Sequence, residues 1–295
     1  MKNIILRIKN HINDRIKFPL IRLLFFQKYI IKDTPDTLQY INNKRCSVSR
    51  YGDGEFDMIV GGCRGFQSYN KELAARLKDI LQSDLPNHIV CVPYTLKSTA
   101  NQRGYAHYFW KDYFQKHYKD LKLILKPRKI YYDSLITRFY MDLEDKSICP
   151  QIILQLKKLW ENRDILLVEG ALTSSGIGND LYNNAKSLRR IICPAENAFK
   201  RYDEILKAIK DNAEKNNLIL ISLGMTATVL AYDLAKEGYQ AIDLGHLDVE
   251  YEWYLQKAEK KVKLQNRYVN EVNGGNIVQK SNDPVYLSQI VAEII

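Results

Sequence analysis

From residue 46 onward, short β-branched or apolar runs alternate with longer stretches whose apolar residues recur at helical spacing. The candidate strands are 46–51, 88–93, 129–133, 164–169, 190–193, 217–223 and 240–244, and helical patterns such as 71–81, 151–160, 198–209 and 226–236 lie between them. Strands that alternate with helices build βαβ units. The expected fold is therefore α/β, a mainly parallel sheet flanked by helices. No internal repeat or low-complexity linker divides the pattern, so one domain is expected over 46–295, preceded by a basic amphipathic helical extension over 1–45.

In that extension Ile4, Ile5, Ile8, Ile12 and Ile16 fall at helical spacing among Lys2, Arg7, Lys9 and Arg15, and Leu20 to Phe26 form a second apolar patch after Pro19. The chain carries a net charge of +10, of which residues 1–33, with eight Lys or Arg and two Asp, hold +6. Charge this concentrated does not make a basic groove across the whole protein, and nucleic acid is not expected as a partner. Two readings of the arm stay open: peripheral contact with an anionic membrane through residues 1–33, or a helix packed on its own domain with its basic residues in solvent. Arg7, Lys9 and Lys17 interrupt the apolar stretches before they reach signal-peptide length, and no later segment approaches the roughly 20 apolar residues of a membrane span. Five scattered cysteines without a C-x-x-C pair suit a reducing compartment. A cytoplasmic protein, peripheral at the inner face of the membrane if the arm docks there, is the expectation.

Open parallel sheets bind ligands where strand ends lead into loops and helix N-termini. After the first candidate strand lies Arg50-Tyr51-Gly52-Asp53-Gly54-Glu55-Phe56. Gly52 and Gly54 let the backbone turn tightly, and the D-x-E spacing can aim Asp53 and Glu55 at one point, which suits a hard divalent cation bridging a diphosphate. The plainer reading is an Asp-Gly turn with two solvated acids. After the strand at 164–169, Glu169 leads through Thr173, Ser174, Ser175, Gly176, Gly178, Asn179 and Asp180 toward an expected helix. That loop offers hydroxyls and N–H groups to phosphate or sugar, or else Asn179 or Asp180 simply caps the helix. It is neither a Walker sequence nor G-x-G-x-x-G. Gly224 allows close approach of a ligand after the strand at 217–223, where Thr226 can cap the next helix. His246, Asp248, Glu250 and Glu252 crowd the loop after the last strand, as proton carriers, metal ligands or solvated surface groups. Arg138 offers a forked guanidinium to a diphosphate, or is a surface arginine.

The ordered motifs S-R-Y-G-D-G-E-F (49–56), F-Q-x-Y-N (66–70), I-T-R (136–138), V-E-G (168–170), G-I-G-N-D-L (176–181), R-I-I-C-P-A-x-N-A-F (190–199) and D-L-G-H-L-D-V-E-Y-E-W (243–253) resemble the GT-D-type glycosyltransferases, over roughly 47–271. The resemblance implies a Rossmann-like fold, a UDP-sugar donor carrying a hexose such as glucose, and a divalent Mn2+ or Mg2+ ion at the D-x-E motif. It also implies a glycan or glycoprotein acceptor in bacterial surface polysaccharide or glycoprotein synthesis. Asp53 and Glu55 then look like the metal and diphosphate site, and His246, Asp248 and Glu250 like the catalytic neighbourhood, unranked as base. Asn179 and Asp180 look like part of the donor pocket, which Arg50, Gly52, Gly54, Arg138, Glu169, Gly178, Gly224 and Thr226 complete as expected donor-binding residues.

Two positions depart from the family pattern: Ser174 stands where a basic residue is expected, and Met225 where a Pro is expected. Lys186, Arg189 or Arg138 are the residues that could supply the missing charge. The same acids would serve a metal-dependent nucleotide or sugar-phosphate hydrolase, and the basic arm would serve a non-catalytic membrane-surface scaffold. Self-association into a homo-oligomer is compatible with all of these.

Overall fold

The computed structural model describes residues 18–63, 67–269 and 271–295. Among them nine strands form one sheet: β1 (Ile30–Ile31), β2 (Ser47–Arg50), β3 (His88–Val92), β4 (Ile130–Asp133), β5 (Asp164–Gly170), β6 (Ser187–Cys193), β7 (Leu218–Ser222), β8 (Gln240–Asp243) and β9 (Ile290–Glu293). Their order is β1-β4-β3-β2-β8-β7-β5-β6-β9, and every pairing is parallel. The α/β expectation is borne out, and the seven expected strands are present to within a few residues of their expected ends.

A parallel sheet is covered on both faces, so its strands read as apolar runs whose alternate residues enter opposite cores. Leu166 and Val168 of β5 and Ile219 and Ile221 of β7 join one core cluster; Ile165, Leu167, Leu218 and Leu220 join the other. The first face is covered by α1 (Phe18–Phe26), α4 (Lys71–Gln82), α5 (Gly104–Ile124), α7 (Tyr202–Asn212) and α8 (Met225–Lys236). The second is covered by α2 (Thr34–Lys44), α6 (Cys149–Trp160) and α9 (Leu247–Leu255). Two short helices, α3 (Asp53–Ile59) and α10 (Pro284–Gln289), complete the set among the described residues.

The sequence-based boundary at residue 45 runs through well-packed structure. β1 pairs with β4, Leu38 and Ile41 of α2 are core residues, and α1 buries Phe25. The isoleucine pattern from Ile4 to Ile16 lies outside the described residues.

Two local expectations need correction. The D-x-E pair does not sit in a free turn: Asp53 and Glu55 occupy the first turn of α3. The loop after Glu169 does not lead into a helix either, because residues 171–186 remain irregular until β6 begins. Ser174, Gly176 and Gly178 adopt φ of 47°, 78° and 77°, and left-handed residues in such succession cannot propagate a right-handed helix. Leu181 and Tyr182 fill the core where a crossover helix would have packed.

That irregular crossover is pinned by a buried ion pair. Arg190 Nη1 lies 2.5 Å from Glu169 Oε1, and both side chains are fully buried. The Ser175 N–H donates to Glu169 Oε2 at 2.9 Å, Arg190 Nη2 donates to the Ser175 carbonyl at 2.8 Å, and Arg190 Nε donates to Gln289 Oε1 at 2.7 Å. Breaking one side of such a pair strands a buried charge. Glu169→Ala is expected to lower stability by about 3–5 kcal/mol in chemical denaturation, and Glu169→Leu combined with Arg190→Met to lower it by clearly less.

Candidate functional site

β2, β3, β4 and β1 progress in one direction along the sheet while β8, β7, β5, β6 and β9 lie on the other side of β2. The loops after β2 and β8 therefore diverge and leave a crevice at their carboxyl ends, as at other topological switch points. Arg50, the last residue of β2, forms its floor. Its Nε donates to the Asp243 carbonyl at 2.9 Å, Nη1 to the Ser134 carbonyl at 2.8 Å and to Thr137 Oγ1 at 2.7 Å, and Nη2 contacts Asp243 Oδ1 at 3.3 Å. Burial raises the pKa of the Asp243 carboxyl, and the Arg50 guanidinium works against that rise. Gly245 has φ of 51°, and a Cβ there would lie 1.8 Å from Arg50 Nη2, so no side chain fits beside the clamp.

The crevice, of about 880 Å³, is lined on one wall by Gly52, Asp53, Gly54 and Glu55. Glu55 folds back so that its Oε2 accepts from the Gly52 N–H at 2.7 Å. Burial, then the neighbouring Asp243 and Asp53, push the Glu55 pKa up to about 7. The opposite wall carries Arg138, Asp142, Lys261 and Glu271. Arg138 Nη2 grips both Glu271 oxygens at 2.7 and 2.8 Å, and Lys261 Nζ reaches the same carboxylate at 2.5 Å. Burial alone would raise the Glu271 pKa, yet the Arg138 and Lys261 cations hold it well below the usual carboxylate range. Tyr105, Phe109 and Trp110 of α5 form a third, aromatic side.

The chain matches the family described as "Glycosyltransferase GT-D fold" over residues 48–272. It belongs to that family. A solved structure described as "The highly conserved domain of unknown function 1792 has a distinct glycosyltransferase fold" superposes with a TM-score of 0.88 at 41% identity, covering 94% of this chain and 99% of that one. The chain is 40% identical over 260 residues to "Probable glycosyl transferase Gly" of Streptococcus gordonii, and 40% identical over 266 residues to "Glycosyltransferase GlyD" of Streptococcus pneumoniae. Those matches take in 88% and 90% of this chain but 38% and 32% of the relatives, so the chain spans about a third of the length of the curated relatives it matches.

Of the expected site residues in this GT-D chain, Arg50, Gly52, Asp53, Gly54, Glu55, Arg138, Gly224 and His246 line one crevice. The remainder lie elsewhere. Asp248 borders a smaller adjoining pocket, but its Oδ1 accepts from the Gly176 N–H at 2.7 Å and from Asn179 Nδ2 at 3.0 Å, and its Oδ2 is engaged by Arg267. Asp180 is tied to Lys157 at 2.7 Å and accepts from the Tyr251 hydroxyl at 2.6 Å. Glu169 is the buried partner of Arg190, Thr226 is fully buried, and Gly178 lines neither space. Glu250 is fully buried outside the crevice, its Oε2 accepting from the Tyr140 and Met141 N–H groups at 3.1 and 2.9 Å while Oε1 has no partner. Lys261, Glu271 and the α5 aromatics were not anticipated; they lie on an irregular segment and on a helix whose sequence carries no chemical motif.

Burial lifts the Glu250 pKa to about 7 against an ordinary 4.5. The native state therefore keeps a proton that the unfolded chain releases near pH 4.5, and this group's contribution to stability falls as pH rises from there to about 7. Gln at this position can accept the same two N–H bonds without ionising. Glu250→Gln is expected to raise the melting temperature relative to wild type more at pH 8 than at pH 5; an equal difference at both would show that Glu250 does not titrate in this way.

Proposed function

We propose that this chain is a cytoplasmic, metal-dependent glycosyltransferase that moves a hexose from a UDP-sugar to a glycan or glycoprotein acceptor in bacterial surface polysaccharide or glycoprotein synthesis. The observation that carries the reading is a switch-point crevice in a GT-D chain lined both by the Asp53 and Glu55 carboxylates and by the Arg138 and Lys261 cations. Two longer helices also begin at this crevice: α8 after Gly224 and α9 after His246, neither with a side-chain cap on its first N–H groups. Such termini favour phosphate oxygens.

The acids fit a hard cation of limited protein ligation. Mg2+ and Mn2+ take one or two carboxylates and complete their shell with water and substrate phosphates, and Asp53 and Glu55 are of that kind. Among the described residues no group of three or more His, Cys, Asp or Glu could hold a metal ion by itself. Bound there, the cation would neutralise charge developing on the departing diphosphate.

The chain's own groups supply the rest. Arg138 and Lys261 bring positive charge to the leaving group. The acceptor hydroxyl must lose a proton, and of the three candidate bases His246 alone lines the crevice. Burial lowers its pKa to about 4, with Glu271 opposing the shift and Arg138 and Arg50 adding to it, so Glu271 and the charge of the bound donor are what would make the imidazole basic enough for that role.

Calorimetric titration with UDP is expected to show binding only with Mn2+ or Mg2+ present. Asp53→Ala should remove this binding and lower transfer on the order of 10²-fold or more while leaving the melting curve intact. UDP release at an equal rate with and without acceptor would instead indicate a hydrolase.

The proposal includes peripheral membrane contact through residues 1–33. No helix of the described residues is long and apolar enough to cross a membrane. Leu20, Leu23 and Leu24 share one exposed face of α1, while Ile21, Phe25 and Phe26 face the core. Co-sedimentation with phosphatidylserine vesicles, lost in the triple variant Leu20→Ser, Leu23→Ser, Leu24→Ser, is the expected result; unchanged sedimentation would remove the arm from this role.

A further inference from the structure

Beside the main crevice, and opening into it at Gly224, Gly245 and His246, lies a smaller pocket at the carboxyl ends of β5, β6 and β7. Its chemistry is different. The crevice is lined by nine charged side chains, three basic (Arg50, Arg138, Lys261) and six acidic (Asp53, Glu55, Asp142, Glu196, Asp243, Glu271). The pocket has one, Asp248, and both of its oxygens are held by Gly176, Asn179 and Arg267. His246 is shared by the two spaces. What remains is a set of uncharged hydrogen-bonding groups: the Thr173 and Ser222 hydroxyls and the Gln67 and Asn197 amides. Among the described residues, neither of those hydroxyls makes a hydrogen bond within the chain.

Glycine at the end of β5 keeps the space open. A Cβ at Gly170 would lie 3.3 Å from Ala195 Cα and 3.4 Å from Thr173 Oγ1, both on pocket-lining residues. On the far side of the acid pair stand Tyr105, Phe109 and Trp110, flat surfaces on which a planar base can stack. A second phosphate would find no cation in the pocket, whereas an uncharged ring rich in hydroxyls would find partners for them.

We propose that this pocket is the subsite for the sugar of the donor, with Thr173 and Ser222 contacting its hydroxyls and Gly170 leaving it room. The inference rests on the donor being a nucleoside-diphosphate sugar, and the test keeps the two apart. The full chain with Mn2+ is titrated calorimetrically with UDP and, separately, with UDP-glucose and UDP-galactose. Thr173→Val, nearly isosteric, should weaken the better-bound sugar nucleotide by about fivefold to tenfold, and Gly170→Ala should also weaken it, while UDP affinity stays within about twofold in both variants. Equal losses for UDP and the sugar nucleotides would place the nucleoside or diphosphate in the pocket and overturn the inference. No loss in either variant, or wild-type binding of UDP with none of the sugar nucleotides, would overturn it as well. A wild-type chain that binds neither UDP nor its sugars would fail the glycosyltransferase reading itself.

Discussion

The site depends on the Arg50 clamp. Where the chain's progress along the sheet reverses, β2 and β8 pair through only the Val48 and Ile242 register, and their following loops part. A gap between strand ends is useful only if its floor is fixed. Arg50 fixes it by directing three donor nitrogens to the β8 end and to the turn after β4, so that three separate stretches of chain share one planar group. The Thr228 hydroxyl, donating to the Arg50 carbonyl at 2.9 Å and lying 3.2 Å from Asp243 Oδ2, extends the clamp to α8. The arginine that looks in sequence like a receptor for phosphate is therefore mainly a structural tie, and the absence of a side chain at Gly245 follows from it.

On the proposed reading, electrostatics favours entry of the donor together with a cation. Six acids face three bases, and each base is already engaged by an acid: Arg50 by Asp243, and Arg138 and Lys261 by Glu271 with Asp142 close by. Burial among these acids keeps Glu55 protonated up to about pH 7. A diphosphate entering alone would add negative charge to a space that already disfavours it, at low effective dielectric. Paired with a divalent ion held by Asp53 and Glu55, the same diphosphate would relieve repulsion instead of adding to it.

Much of the sheet was legible because parallel strands buried on both faces are nearly uninterrupted apolar runs, as in Leu218–Ser222. The edges were not: β1 is two residues long, and β9 is a short apolar stretch with half-exposed residues at the end of a polar tail, too brief to be told from a helix end. α5 escaped notice because half of its buried positions are aromatic and interleaved with other Tyr, Phe and His residues, which blurs the polar-apolar contrast. In the site, D-x-E was legible as an acid pair after a strand, but its helical setting and the turning back of Glu55 were not. Glu169 and Glu250 show the limit of motif reading. Glu169 sits at the end of β5 and Glu250 in an acidic stretch after β8, and each is buried to satisfy N–H groups, a role decided by packing that no local pattern reveals.

The acids at 248 and 252 acquire a different meaning from the same geometry. Both engage Arg267, and Arg267 also holds the Ile177 carbonyl, so the β5–β6 crossover and the irregular segment after α9 are fastened to one point on the first turns of that helix. Tyr268, the next residue, lines both the crevice and the pocket and donates its N–H to the Leu172 carbonyl at 3.0 Å. Glu271, three residues further, then meets Arg138 and Lys261. A cluster that in sequence suggests direct chemistry thus acts through position: it sets where the irregular wall stands relative to the rigid strand ends. The half of the site built on strand ends rests on the sheet and the Arg50 clamp, whereas the other half is held by a few charged side chains on irregular chain. Substitutions at Asp248 or Glu252 would therefore disturb binding through the placement of Tyr268 and Glu271, because both Asp248 oxygens and Glu252 Oε1 are spent on that fastening.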